Sequence, residues 1–256
     1  MSIEDSAKKL HKILEQVKNG DGHAEFVEGL RFHHGLSGSE KNEEKILEYY
    51  KQAAEKSDAP IIQYMVGELY AIGVGTEVDF KKAHAWYLRA AENGSVDAQY
   101  ALWQLYHGGC EEYDDISEGL KWLKMAAESG LPKAEHDLGL YYMEGAGADI
   151  DDEKGFAWIL KAAEKGYPHS QYLTGMNYIV GLGVEKDEEK GFAWLSRAAA
   201  LDYPKAMYWM GVCYEQGSGV AMDFEKAYDC FAKAALYGDP NAIMTLMDEV
   251  GEEDEF

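Results

Sequence analysis

Basic residues are scarce in this chain. Lys and Arg number 24 against 47 Asp and Glu over 256 residues, a formal net charge of −23. Nucleic-acid binding through phosphate contacts needs clustered Lys and Arg, so the charge argues against it. It leaves room for a basic protein partner. Cysteine is scarcer still. Cys110, Cys213 and Cys230 form an odd set without CxxC spacing, which argues against a disulfide framework or a zinc site and suits a reducing compartment. No apolar run approaches the ~18 residues of a membrane span. The N-terminal Met1-Ser2-Ile3-Glu4-Asp5 is acidic and has no apolar signal region. The expectation is a soluble, cytoplasmic chain without membrane insertion, monomeric when alone.

Catalytic motifs are missing as well. No Gly-x-Ser-x-Gly, His-Glu-x-x-His or Walker sequence occurs. His23, His33 and His34 make the one local histidine cluster, and adjacent helical residues diverge by about 100°, which spoils a metal geometry. The Gly-x-Gly loops follow a helix, lack the third glycine of a dinucleotide site and sit among carboxylates. No catalytic residue, metal or cofactor is therefore expected.

What the chain does have is a 36-residue beat. The hexapeptide Glu-Lys-Gly-Phe-Ala-Trp occurs at Glu153–Trp158 and again at Glu189–Trp194. Ala-Ala pairs fall at 53, 90, 126, 162, 198 and 234. Trp86, Trp122, Trp158 and Trp194 share one column, with Cys230 in its last slot. Tyr70, Tyr106, Tyr142, Tyr178 and Tyr214 form another, and Gly29, Gly67, Gly139, Gly175 and Gly211 a third, which Trp103 interrupts. Repeats of this length point to a solenoid.

Each unit reads as two helices. In helix A, Ile62, Val66, Leu69 and Tyr70 fall on one helical face. Proline opens it at 60, 132, 168, 204 and 240, where the missing N–H costs nothing. A Gly-x-Gly loop ends it, as at Gly73-Val74-Gly75. Helix B starts at an Asn or Asp cap: Asn42, Asp79, Asp115, Asp151, Asp187 and Asp223. Asp115 with Glu118 has capping-box spacing. Gly94, Gly130 and Gly166 stop it. The organisation predicted is an N-terminal capping helix within 1–23 (Ser6–Lys18), six repeats at about 24–59, 60–96, 97–132, 133–168, 169–204 and 205–239, a lone helix over 240–250, and an acidic tail at 251–256. No linker long enough to separate domains is visible. The fold expected is an all-α, right-handed α-solenoid of antiparallel pairs, about thirteen to fourteen helices.

These columns resemble the Sel1-like repeat family, a relative of the tetratricopeptide repeat. Gly139, Tyr142, Gly145, Gly147, Asp151, Lys154, Trp158, Ala162, Ala163 and Gly166 quote much of its pattern. The resemblance covers roughly residues 24 to 250. It implies non-enzymatic scaffold or adaptor work by protein binding, and no common activity. Some secreted, cysteine-rich relatives are linked to β-lactam binding or hydrolysis. They carry a disulfide per repeat, which this chain lacks.

Two surfaces are candidates for a protein or peptide partner. The first is a concave groove lined by helices A, where the third, seventh and tenth positions of each unit would point inward. The groove residues are Tyr64, Tyr100, Gln104, His107, His136, Leu140, Met143, Tyr172, Met176, Ile179, Tyr208 and Val212. The tyrosines fit a packing column between helices better than a binding surface. Helices A hold few Lys or Arg, so a clamp for a partner's C-terminal carboxylate is not expected. The second is an acidic edge of A-to-B loops: Glu111, Glu112, Asp114, Asp149, Asp152, Glu185 and Glu188. It reads as a landing strip for a basic partner, which would make the chain an acidic immunity or inhibitor protein. Equally, each acid could serve its own helix dipole. Cys213 and Cys230 read as core fillers. The columns where repeats disagree, at Trp103, His136, Trp209, Met143 and Met176, carry the individuality of the chain.

Overall fold

The computed structural model describes residues 21–34, 42–108, 113, 115–145 and 150–253. Every regular element in them is a helix, thirteen in all. They are α1 (His23–His34), α2 (Glu43–Lys56), α3 (Pro60–Ile72), α4 (Phe80–Glu92), α5 (Val96–His107), α6 (Ile116–Glu128), α7 (Pro132–Glu144), α8 (Asp152–Glu164), α9 (Pro168–Val180), α10 (Glu188–Ala199), α11 (Pro204–Gln216), α12 (Phe224–Leu236) and α13 (Pro240–Glu253). Odd-numbered helices are the predicted helices A, and even-numbered ones are helices B. The capping helix over Ser6–Lys18, the loop at Gly35–Lys41, Cys110 and Gly147 lie outside the described residues. The last helix runs three residues beyond the predicted Val250.

Although no linker is visible in the sequence, the chain forms two compact units, residues 1–129 and 130–256. Within each, a helix packs mainly on the helix before it and the helix after it, the nearest-neighbour pattern of a solenoid. The pairing is antiparallel. A Cβ added to Gly139 would meet Ile159, and one added to Gly155 would meet Met143, so residue numbers fall on α8 as they rise on α7. Glycine is needed at such crossings. A Cβ on Gly175 would lie 2.9 Å from the Gly191 carbonyl oxygen and 2.9 Å from Leu195 Cγ.

The repeat's aspartates are spent locally. Asp79, Asp151, Asp187 and Asp223 donate their backbone N–H to the carbonyl of the repeat-column tyrosine of the preceding helix A, at 2.8–2.9 Å. Each side chain then accepts from the backbone N–H of the lysine three residues on. That lysine turns its ammonium over the same tyrosine, as Lys154 does over Tyr142 at 4.1 Å. Asn42 and Asp115 cap α2 and α6 in the same way. The capping box at Asp115 is half formed: Asp115 accepts from Ser117 and Glu118 N–H, while the Glu118 carboxylate pairs with Lys121. One turn thus closes the A-to-B loop, caps helix B and covers an aromatic face.

The Gly-x-Gly loops join successive repeats. A Cβ on Gly183, whose φ is +68°, would run into the Asp152 carbonyl oxygen at the start of the previous helix B. Only glycine both adopts that conformation and allows that approach.

Candidate functional site

In the first unit, the groove candidates stand on α3 and α5. Tyr64 is half-buried, with its ring 5.7 Å from Tyr87 of α4. Burial, with Glu68 and Asp97 adding to it, pushes its hydroxyl pKa up. Gln104 and His107 are exposed and Tyr100 is half-buried. His107 is not open on both faces, because the indole of Trp103 stacks on it at 4.5 Å.

In the second unit, two groove candidates turn away from the expected face. Met143 and Ile179 are directed at the glycines of the following helix B. A Cβ on Gly155 would meet Met143 Cγ at 2.5 Å, and one on Gly191 would meet Ile179 Cγ1 at 2.5 Å. Asn177 donates weakly to Met143 Sδ at 3.9 Å. At Met143 and Ile179 the tenth position therefore fills the crossing of its own pair, and the inward reading of these two residues is corrected, while His107 at the same position is exposed. His136 is also interior. It is 8% exposed, and its Nδ1 lies 2.8 Å from Ser170 Oγ. Burial, its largest cause, lowers its pKa, so it sits neutral in the core.

What remains is an aromatic run along α9 and α11. The rings of Tyr167 and His169 stack at 5.3 Å, His169 meets Tyr203 at 4.8 Å, and Tyr203 meets Tyr172 at 5.5 Å. Trp209 stands beside the Tyr172 hydroxyl, and Tyr208 meets Trp209 at 5.9 Å. Leu140, Met176, Tyr172, Tyr208 and Val212 are half-buried, partly open to solvent. Burial chiefly raises the hydroxyl pKa of Tyr167, Tyr172 and Tyr203, so all three stay neutral near pH 7. The run includes four residues outside the groove columns: Trp209, noted only as a departure between repeats, and Tyr167, His169 and Tyr203, which were missed. The signal for the two tyrosines was the Tyr-Pro dipeptide at the start of two successive helices A, with His169 directly after the first.

The acidic edge is partly accounted for by its own repeat. Glu111, Glu112, Asp114 and Asp149 lie outside the described residues. Glu188 pairs with Lys186 at 2.7 Å, and that lysine's hydrogen bond is the main reason its carboxyl titrates below the usual range. The half-buried Asp152 offers its backbone carbonyl to the Gly183 approach, and Glu185 is exposed. The cap aspartates Asp187 and Asp223 pair with Lys190 and Lys226 at 2.8 and 2.7 Å.

Among the described residues, no three His, Cys, Asp or Glu side chains gather as a metal site needs. Nor is any helix there long and apolar enough to cross a membrane. Cys213 is buried, which pushes its thiol up to about 11; such a thiol is a poor nucleophile.

The comparisons agree with this architecture. A family profile described as Sel1 repeat matches residues 29–58, 61–95, 96–131, 132–167, 168–203 and 204–239. The chain is similar to a protective antigen of uropathogenic Escherichia coli with an SLR fold (29% identity, TM-score 0.82). That likeness covers 91% of this chain and 50% of the antigen, so the chain spans half the antigen's length. It is similar to a Sel1 repeat protein from Oxalobacter formigenes at 28% identity and TM-score 0.74, over 84% of this chain and 88% of that one. An immunity protein from Pseudomonas aeruginosa shares the fold at 21% identity and TM-score 0.51, over 85% and 81%. No curated protein matches.

Proposed function

The chain belongs to the Sel1 repeat family, whose members generally mediate protein–protein interaction, and on that premise we propose that it is a non-enzymatic scaffold. It holds a protein or peptide partner on the helix A face of residues 130–256. The supporting observation is the aromatic run Tyr167–His169–Tyr203–Tyr172–Trp209, partly open beside Leu140, Met176 and Val212. Rigid aromatic rings with apolar neighbours are the usual anchors of an interface. Scarcity of Lys and Arg on these helices favours apolar and polar contact over carboxylate capture. The test replaces Tyr172 and Met176 together by Glu and Lys and measures capture of the partner that co-purifies with the wild-type chain. Capture falls at unchanged helicity; full capture by the double variant overturns the reading.

A second reading is an acidic inhibitor of a basic partner. Its support is the net charge of −23. Against it, the cap aspartates Asp79, Asp187 and Asp223 are each paired with a lysine of their own helix. Complexes of this kind weaken steeply with salt. A partner held equally at low and high salt sinks it.

A further inference from the structure

The sixth repeat departs from the others at one slot. Helix B carries Trp86, Trp122, Trp158 and Trp194 at one register position, and in α12 that position is Cys230. In three of those repeats a cation lies over the indole: Arg89 at 5.6 Å, Lys161 at 3.6 Å and Arg197 at 4.3 Å. The cation always stands three residues after the tryptophan. Three residues after Cys230 stands Lys233. The sixth repeat has kept the cation and lost the ring. A thiol is far smaller than an indole, and the space beside it is open: Cys230 and Lys233 line a pocket of about 430 Å³, within the ~300–1,000 Å³ of small-ligand sites.

Three more departures suit that pocket to an apolar guest. Its floor includes Met207, in the column that elsewhere holds Gln63, Gln99, Glu135 and Gln171. Its flank includes Leu236 and Tyr237, where earlier helices B end in Glu92, Glu128 and Glu164. Leu236 is 83% exposed and Tyr237 50%, so this apolar flank is open to a partner. Asp202, also on the rim, stands where four other repeats have Gly94, Gly130, Gly166 and Gly238. Among the described residues it is the one non-glycine with positive φ, at 57°. The Asp202 carboxylate stands near the Tyr237 hydroxyl and raises its pKa, placing on the rim a negative charge that glycine would not bring. Backbone strain of this kind gathers at functional sites.

We propose that this pocket receives an aromatic side chain from a partner protein, an indole above all, seated beside Cys230 with the Lys233 ammonium over its face. The repeats' own tryptophans are the template for the guest. The electrostatics are complementary, because the negative face of the ring attracts the ammonium. Met207 and Met210 offer polarizable sulfur to the ring edge. Aromatic anchors buried in such pockets dominate binding at protein interfaces. This site is separate from the helix A face and stands or falls without it.

Indole and N-acetyltryptophanamide, titrated into the full chain labelled at its methionine methyls, test the proposal. The Met207 and Met210 signals shift saturably, while those of Met143 and Met176 stay in place. Cys230→Trp fills the slot from within and abolishes the shifts; the register of four other repeats accommodates that residue. Cys230→Ala keeps them, and Lys233→Ala weakens binding about two- to fivefold. The cyclohexylalanine analogue, apolar but without a π face, binds less well than the indole. Absence of saturable shifts, equal shifts at Met143, or shifts that survive Cys230→Trp overturn the proposal. Should Cys230→Trp alter helicity, an unchanged affinity in Lys233→Ala overturns the seating under the ammonium.

Discussion

The Lys165 ammonium lies 2.7 Å from Glu135 Oε1 and 2.8 Å from the Gly130 carbonyl oxygen. It ties the C-terminal end of α8 to the first turn of α7. The Glu135 side chain is 4% exposed and Lys165 is 41% exposed. The carboxylate is thus buried while its partner remains in water, and Glu135 Oε2 has no hydrogen-bond partner. Removing the lysine strands a buried charge. Lys165→Met should lower the unfolding free energy by about 1–3 kcal/mol, the range for an unsatisfied buried group. Glu135→Gln should cost under about 1 kcal/mol, because it removes the buried charge and places the residue that three other repeats carry as Gln63, Gln99 and Gln171. Urea midpoints of the two variants decide this; a costlier Glu135→Gln contradicts it.

Gly175 is a crossing point that admits no side chain. An added Cβ meets the Gly191 carbonyl oxygen and Leu195 at 2.9 Å each, and the former is backbone. Gly175→Ala should cost about 1–3 kcal/mol and Gly175→Leu more, as overpacking does. Thermal unfolding measures it, with circular dichroism showing whether helix content is kept. A neutral Gly175→Ala would mean that α9 and α10 can separate freely.

His136 gives a pH signature. Burial lowers its folded pKa below the ordinary value near 6.5. Between the two values the unfolded chain binds the extra proton, so stability rises with pH there and falls as the solution is acidified from 7 through 6.5. The slope is at most about 1.4 kcal/mol per pH unit for one group. A His136→Gln variant should lose less stability than the wild type between pH 7.5 and 5.5. Parallel losses in the two proteins would place His136 outside the acid response.

The fold was legible because its columns have local causes. Asp187 caps α10 through Lys190, and Gly175 meets Leu195, whatever the rest of the chain does. The helix A face was less legible. A stripe at i, i+4 and i+7 is broad enough to reach both the groove and the pair crossing, and Met143 and Ile179 fall on the crossing side. Tyr167, His169 and Tyr203 stand before or at the first turn of helices A, where helical periodicity assigns no face. Cys230 looked like a small filler in a tryptophan column. That the slot stays open depends on its neighbours Met207, Leu236 and Tyr237 in three dimensions.

The central claim is that the helix A face of residues 130–256 carries the partner. A photo-crosslinking residue placed at Tyr172 in the native cell tests it most directly, with one at Tyr228, exposed on α12, as the control surface. The account predicts one dominant protein adduct from position 172, lost when Trp209 is replaced by Glu, and none from position 228. Adducts from position 228 alone, or adducts from 172 indifferent to Trp209, would contradict it.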